Sequence, residues 1–242
     1  MKIQSTKYSY SNYSNSVNFR GHKFTRFVAA MSSRYSAEKL NKRELKILQD
    51  TYNNLWKKLS LPENLKPELQ TKRMLSMMGF SVEDYAIYVD TSLSPFKMNV
   101  RNKTGYNKSL LRHEIEHVRQ IWEIIKLVGA NNFAKEINNK NINLISKIKP
   151  ESLKKIREVE QTFGRILPNS EEGKIAQSYL KALREYPDVD RAMDPVIETI
   201  YHIKYINNAL EKGANLVAKE YKPSFLKKIK ITIREFINLL AK

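Results

Sequence analysis

A helix-forming stretch near the middle of the chain carries two histidines one turn apart. Leu110, Leu111, Ile115, Val118, Ile121, Trp122 and Ile125 recur at steps of three and four, the period of an amphipathic α-helix. Thr104, Asn107 and Ser109 offer capping oxygens ahead of it, and Gly129 offers a stop behind it. Inside this frame residues 113–117 read His113-Glu114-Ile115-Glu116-His117. Residues four apart on a helix share a face, so both imidazoles can reach one cation. Glu114 can reach water held by that cation, whereas Glu116 points off the same side. The competing reading is a charged surface helix. In it the two histidines and two glutamates, with Arg112, Arg119 and Glu123, form pairs at three- and four-residue spacing.

The residue types suit zinc. Neutral imidazole nitrogens bind Zn²⁺ at about 2.0–2.1 Å, and the metal lowers the pKa of its water towards ~7 while polarising a carbonyl. A carboxylate beside that water accepts its proton and passes it to a leaving amine, which is the role the pattern predicts for Glu114.

On these residues the chain resembles the zincin metallopeptidases, in particular the gluzincin type with an acidic third ligand. The longer H-E-x-x-H-x-x-G-x-x-H pattern of metzincins is absent, because position 120 is Gln and position 123 is Glu. The resemblance implies a third ligand from a later acidic helix. The nearest such segment runs from Glu185 through Tyr186, Pro187, Asp188 and Asp190 to Asp194. Asp188 stands where the family's E-x-E pair would place a ligand. Asp190 is the alternative, since Asp190 with Asp194 has the spacing of E-x-x-x-D. Glu185 has the longer arm, and His202 would make a different zincin branch. Tyr186, Tyr201 and His202 are candidates for stabilising an oxyanion. The resemblance also implies a small antiparallel sheet ahead of the histidine helix, and an edge strand that binds an extended peptide.

The fold class expected is α+β, mainly helical and zincin-like, with a helical C-terminal half. At 242 residues and 41% hydrophobic, the chain can build one core of ordinary size. It has no cysteine, which excludes disulfides, thiolate metal sites and thiol nucleophiles. Residues 1–32, rich in Ser, Tyr and Asn, are expected to be a disordered leader ahead of a single domain over 33–242. Ser36 is expected to cap a first helix that carries Leu48, Tyr52, Leu55 and Trp56 and breaks at Pro62 and Pro67. Residues 71–78 read as a short helix closed by Gly79. Residues 85–89 and 96–100 read as strands joined by a loop. Helices follow over 131–139, 150–163 and 171–184, then one long helical pattern over 187–221, broken at Pro195 or Gly213. Residues 222–242 form a basic amphipathic stretch that reads as a terminal helix.

Net charge is +18, which favours weak, non-specific contact with nucleic acid or an anionic membrane surface. The lysines are scattered along amphipathic helices, and no nucleic-acid motif accompanies them. With no apolar run of about 18 residues and no secretory leader, a cytoplasmic location is expected. The function expected is a zinc metallopeptidase acting on a peptide or protein substrate. The alternatives are a non-catalytic basic helical protein that binds nucleic acid, membrane or a partner, and a zincin fold without turnover. Retention of Glu114 favours the enzyme, since a purely structural zinc needs no neighbouring base.

Overall fold

The computed structural model describes residues 42–71, 78–89, 105–140, 148–186 and 204–221. Helix α1 (Lys42–Lys58) buries Leu48, Tyr52, Leu55 and Trp56, the stripe its sequence spacing predicts. Two polar tips of that stripe hold the chain that turns back beneath it. The Tyr52 hydroxyl donates to the Pro67 carbonyl at 2.8 Å, and the Trp56 indole N–H donates to the Pro62 carbonyl at 3.2 Å. A buried aromatic thus keeps its polar atom satisfied while its ring fills the core.

Three short strands follow: β1 (Glu68–Thr71), β2 (Met78–Ser81) and β3 (Ala86–Val89). The sheet order is β1-β3-β2, with β1 parallel and β2 antiparallel to β3. The expected antiparallel sheet is therefore a mixed one. β3 is buried at every residue, in keeping with an unbroken apolar Ala-Ile-Tyr-Val run in a central strand. The helix expected over 71–78 is corrected at both ends. Thr71 and Met78 are strand residues, and both pair with Val89, from opposite sides. The expected strand over 96–100 lies outside the described residues.

Helix α2 (Gly105–Val128) carries the histidine pair and forms the centre of the molecule. Its apolar face is fully lined: Leu111, Ile115, Val118, Ile124 and Ile125 are all completely buried. Trp122 meets Trp56 edge to face, with ring centroids 5.8 Å apart, and donates its N–H to the Tyr85 hydroxyl at 2.9 Å. That hydroxyl in turn donates to the Leu65 carbonyl at 3.0 Å. These contacts lock α2 against α1 and the sheet.

Gly129 ends α2 with a φ of +84°, a conformation that favours glycine. Arg165 donates to the Leu127 carbonyl at 2.9 Å and so satisfies an acceptor in the last turn. Helix α3 (Ala130–Lys140) begins at once, its first N–H bonded to the Glu160 carboxylate at 2.8 Å. Glu160 comes from α4 (Pro150–Phe163), which starts at a proline as its sequence predicts. Helix α5 (Glu171–Arg184) is capped by Ser170, whose hydroxyl accepts from the Gly173 N–H at 3.0 Å.

The long helical pattern expected to reach residue 221 is interrupted at Asn208, not at Gly213. Asn208 is extended and caps α6 (Ala209–Ala218) by accepting from the Leu210 N–H at 3.0 Å. Its amide also donates to the Ala182 carbonyl at 2.8 Å, which ties the start of α6 to the end of α5. Residues 1–41, which hold the expected leader and Ser36, lie outside the described residues, as do Pro195 and the terminal stretch 222–242. Among the described residues no helix is long and apolar enough to cross a membrane.

Candidate metal centre

Helices α2 and α6 run antiparallel and close together. The Ser109 hydroxyl, near the start of α2, donates to the Ala218 carbonyl at 2.9 Å, at the end of α6. Eleven residues on, the Gln120 amide donates to the Leu210 carbonyl at 3.0 Å, at the start of α6. Small residues make this approach possible: Ala214 and Ala218 are buried on the facing side, beside Gly213. The pairing carries Glu211, in the first turn of α6, to the two histidines of α2.

His113, His117 and Glu211 form one cluster whose potential ligand atoms all lie within 4.8 Å of one another. The two Nε2 atoms are 3.0 Å apart, and each is 3.3 Å from a Glu211 oxygen: Oε2 for His113, Oε1 for His117. A tetrahedral ion with ligands at about 2.0–2.1 Å would space them about 3.3 Å apart, so the three donors sit close to the separation a zinc site requires. The rings stand nearly perpendicular at 89° and share no stacking face.

The protons on the site follow from its bonds. The Leu210 carbonyl can only accept, so the Gln120 amide nitrogen must face it, and the Gln120 oxygen must face His117. That oxygen lies 2.9 Å from His117 Nδ1, which therefore carries hydrogen and leaves Nε2 to face the cluster. This is the usual support for a metal-binding imidazole.

Glu211 is 1% exposed, and its Oε2 has no hydrogen bond. Its other oxygen accepts from the Tyr186 hydroxyl, and Tyr186 packs edge to face on Tyr205. A buried carboxylate costs several kcal/mol, roughly, unless positive charge or donors compensate it. Burial pushes the Glu211 pKa up, but the adjoining imidazoles of His113 and His117 and the His117 charge outweigh it, leaving the group well below the usual carboxylate range. For His117 burial acts downward, yet the Glu211 hydrogen bond and the Glu114 charge raise its pKa to about 9. Positive charge beside the carboxylate, carried by a proton or by a cation in the cluster, offsets the cost of burying it, and the two compete for the same nitrogen. The buried Oε2 without a donor and the spacing of the nitrogens both fit a divalent ion.

Glu114 is buried beside this cluster at 6% exposure. Burial raises its pKa, and the charges of His117 and His113 partly offset that. Its Oε2 accepts the backbone N–H of Phe80 at 2.9 Å, so strand β2 fixes the carboxylate's direction. Glu116 points elsewhere, as its place in the turn predicts. It accepts from Arg112 at 2.8 Å and from Arg119 at 3.2 Å. The charged-helix reading therefore describes Glu116 and its arginines, while the histidines turn inward.

Of the acidic candidates, Glu185 is exposed at the end of α5, 4.0 Å from Lys181 and apart from the cluster. Asp188, Asp190, Asp194, Tyr201 and His202 lie outside the described residues. Glu211 did not enter the sequence reading, although two signals mark it. Asn208-Ala209-Leu210-Glu211 has the spacing of a capping box. Glu211 also falls on the stripe of Leu210, Ala214 and Ala218, an acid where the helix is otherwise buried and apolar. Comparison of the chain with protein-family models, curated proteins and solved structures found no match. The His113/His117/Glu211 cluster, with Glu114 beside it, matches a gluzincin-type zinc site.

Proposed function

We propose that the protein is a zinc-dependent metallopeptidase, with His113, His117 and Glu211 as metal ligands and Glu114 as general base. The observation that carries this reading is the convergence of two imidazole nitrogens and a buried carboxylate, within 4.8 Å, beside a second buried carboxylate. Zinc held there supplies Lewis acidity towards the scissile carbonyl and acidifies the attacking water. Glu114 accepts the proton of that water and returns it to the departing amine nitrogen. Burial makes Glu114 a stronger base than an exposed glutamate, and the Phe80 N–H holds its orientation. Tyr186 holds Glu211 in place by donating to Oε1, the oxygen that faces His117.

The substrate class proposed is a peptide or protein. Strand β2, tied to Glu114 through the Phe80 N–H, borders the site, so a peptide held there meets the sheet next to the general base. Zinc-loaded protein is expected to cleave members of a mixed peptide library. Removal of zinc by a chelator is expected to abolish cleavage, and added zinc to restore it. Cleavage that survives complete metal removal contradicts the proposal.

A further inference from the structure

We infer that Gln120 is a positioning residue that sets two of the three metal ligands at once, through a clearance provided by Gly213. The inference rests on the metal-centre reading proposed above and extends it to residues that bind no metal.

Gln120 is 1% exposed, and both ends of its amide are used. The oxygen accepts from His117 Nδ1 at 2.9 Å, which fixes the ring's tautomer and rotation. The nitrogen donates to the carbonyl of Leu210 at 3.0 Å, the residue directly before Glu211. One side chain therefore connects the second histidine of α2 to the backbone that carries the carboxylate. Because an amide is planar and short, it transmits position in both directions. If α6 slides, the Leu210 bond is strained and pulls the amide from His117, and if the ring turns, the His117 bond is lost and the amide is free to leave Leu210.

The opposite wall of this latch is a glycine. A Cβ at Gly213 would lie 2.8 Å from the Gln120 amide nitrogen, closer than side-chain atoms tolerate. Gly213 is in the interior of α6, where glycine lowers helix stability relative to alanine. Its φ does not demand glycine. The space is what the position supplies, and the amide fills it. Gln120 thus accounts for a glycine that helix preference disfavours.

A leucine at 120 fills similar volume and makes neither bond. A glutamate keeps an oxygen for His117 Nδ1–H and loses the donor to Leu210. Alanine at 213 leaves every hydrogen-bonding group in place and pushes the amide aside. Zinc dissociation constants are measured by competition titration for wild type and for Gln120→Leu, Gln120→Glu and Gly213→Ala. The His117 ring Nδ1–H signal is followed by nitrogen-edited NMR in each zinc-loaded protein. Gln120→Leu and Gly213→Ala are expected to weaken zinc binding by roughly 10–100-fold and to lose protection of the ring proton. Gln120→Glu is expected to retain the protected ring proton and to bind zinc more tightly than Gln120→Leu. Zinc affinity and ring-proton protection unchanged in Gln120→Leu and Gly213→Ala, in a wild type that binds zinc, overturn this inference alone. A wild type that binds no zinc overturns the metal centre and this inference with it. Gly213→Ala and Gln120→Glu keep the test decisive if the leucine variant fails to fold.

Discussion

Glu114→Gln is expected to keep its zinc and to lower peptide cleavage by about 10²–10⁴-fold, the range a positioned general base contributes. Glutamine matches glutamate in size and shape, so the buried position beside the sheet stays filled. Its amide oxygen can still accept the Phe80 N–H, the 2.9 Å bond that orients the native carboxylate. The lost property is the ability to take a proton. The ligands are untouched, because Glu114 is not part of the cluster of His113, His117 and Glu211. Zinc content and turnover, measured on the same preparation, separate the roles. Loss of both together would make Glu114 a structural group, and full activity would remove it from the chemistry.

Glu211→Ala is expected to abolish zinc retention, as is His117→Ala, with a loss larger than the ~10–100-fold that a supporting residue costs. Removing Glu211 takes away one of three donors and the negative charge that balances a divalent ion. It also leaves Tyr186 without its carboxylate partner and a gap at a position 1% exposed. Matched Asp188→Ala and Asp190→Ala proteins are expected to keep zinc. Metal content measured after dialysis decides the assignment. Zinc kept by Glu211→Ala and lost by either aspartate variant would transfer the third-ligand role to the 185–194 segment.

The legible part of the site was local. His113, Glu114 and His117 lie within five residues on one helix, so the period of the backbone alone puts the two rings on one face. Helix limits at Gly129, Pro150 and Ser170 were likewise readable, because each rests on a cap, a fixed φ or a positive φ at a single residue. The third donor was not local. Glu211 reaches His113 only because Asn208 breaks the chain into a new helix and small residues let that helix approach α2. The Pro-Asp-Val-Asp segment is closer in wording to known acidic motifs and carries the sequence expectation, and it lies outside the described residues. The sheet itself is legible from the apolar run at 85–89, whereas its two partner strands are not, for a similar reason. Thr71 and Met78 are strand residues through pairing with Val89, and pairing partners leave little mark on a four-residue strand.

The function claimed depends on one ion held jointly by α2 and α6. X-ray absorption at the zinc edge, on protein loaded to equivalence, reads its ligands directly. The account predicts one tightly bound zinc with two imidazole nitrogens at about 2.0–2.1 Å and oxygen completing a four-coordinate shell. The same spectrum from Glu211→Ala should show that shell lost. A zinc surrounded by water oxygens alone, or an unaltered imidazole shell in His117→Ala, would contradict it.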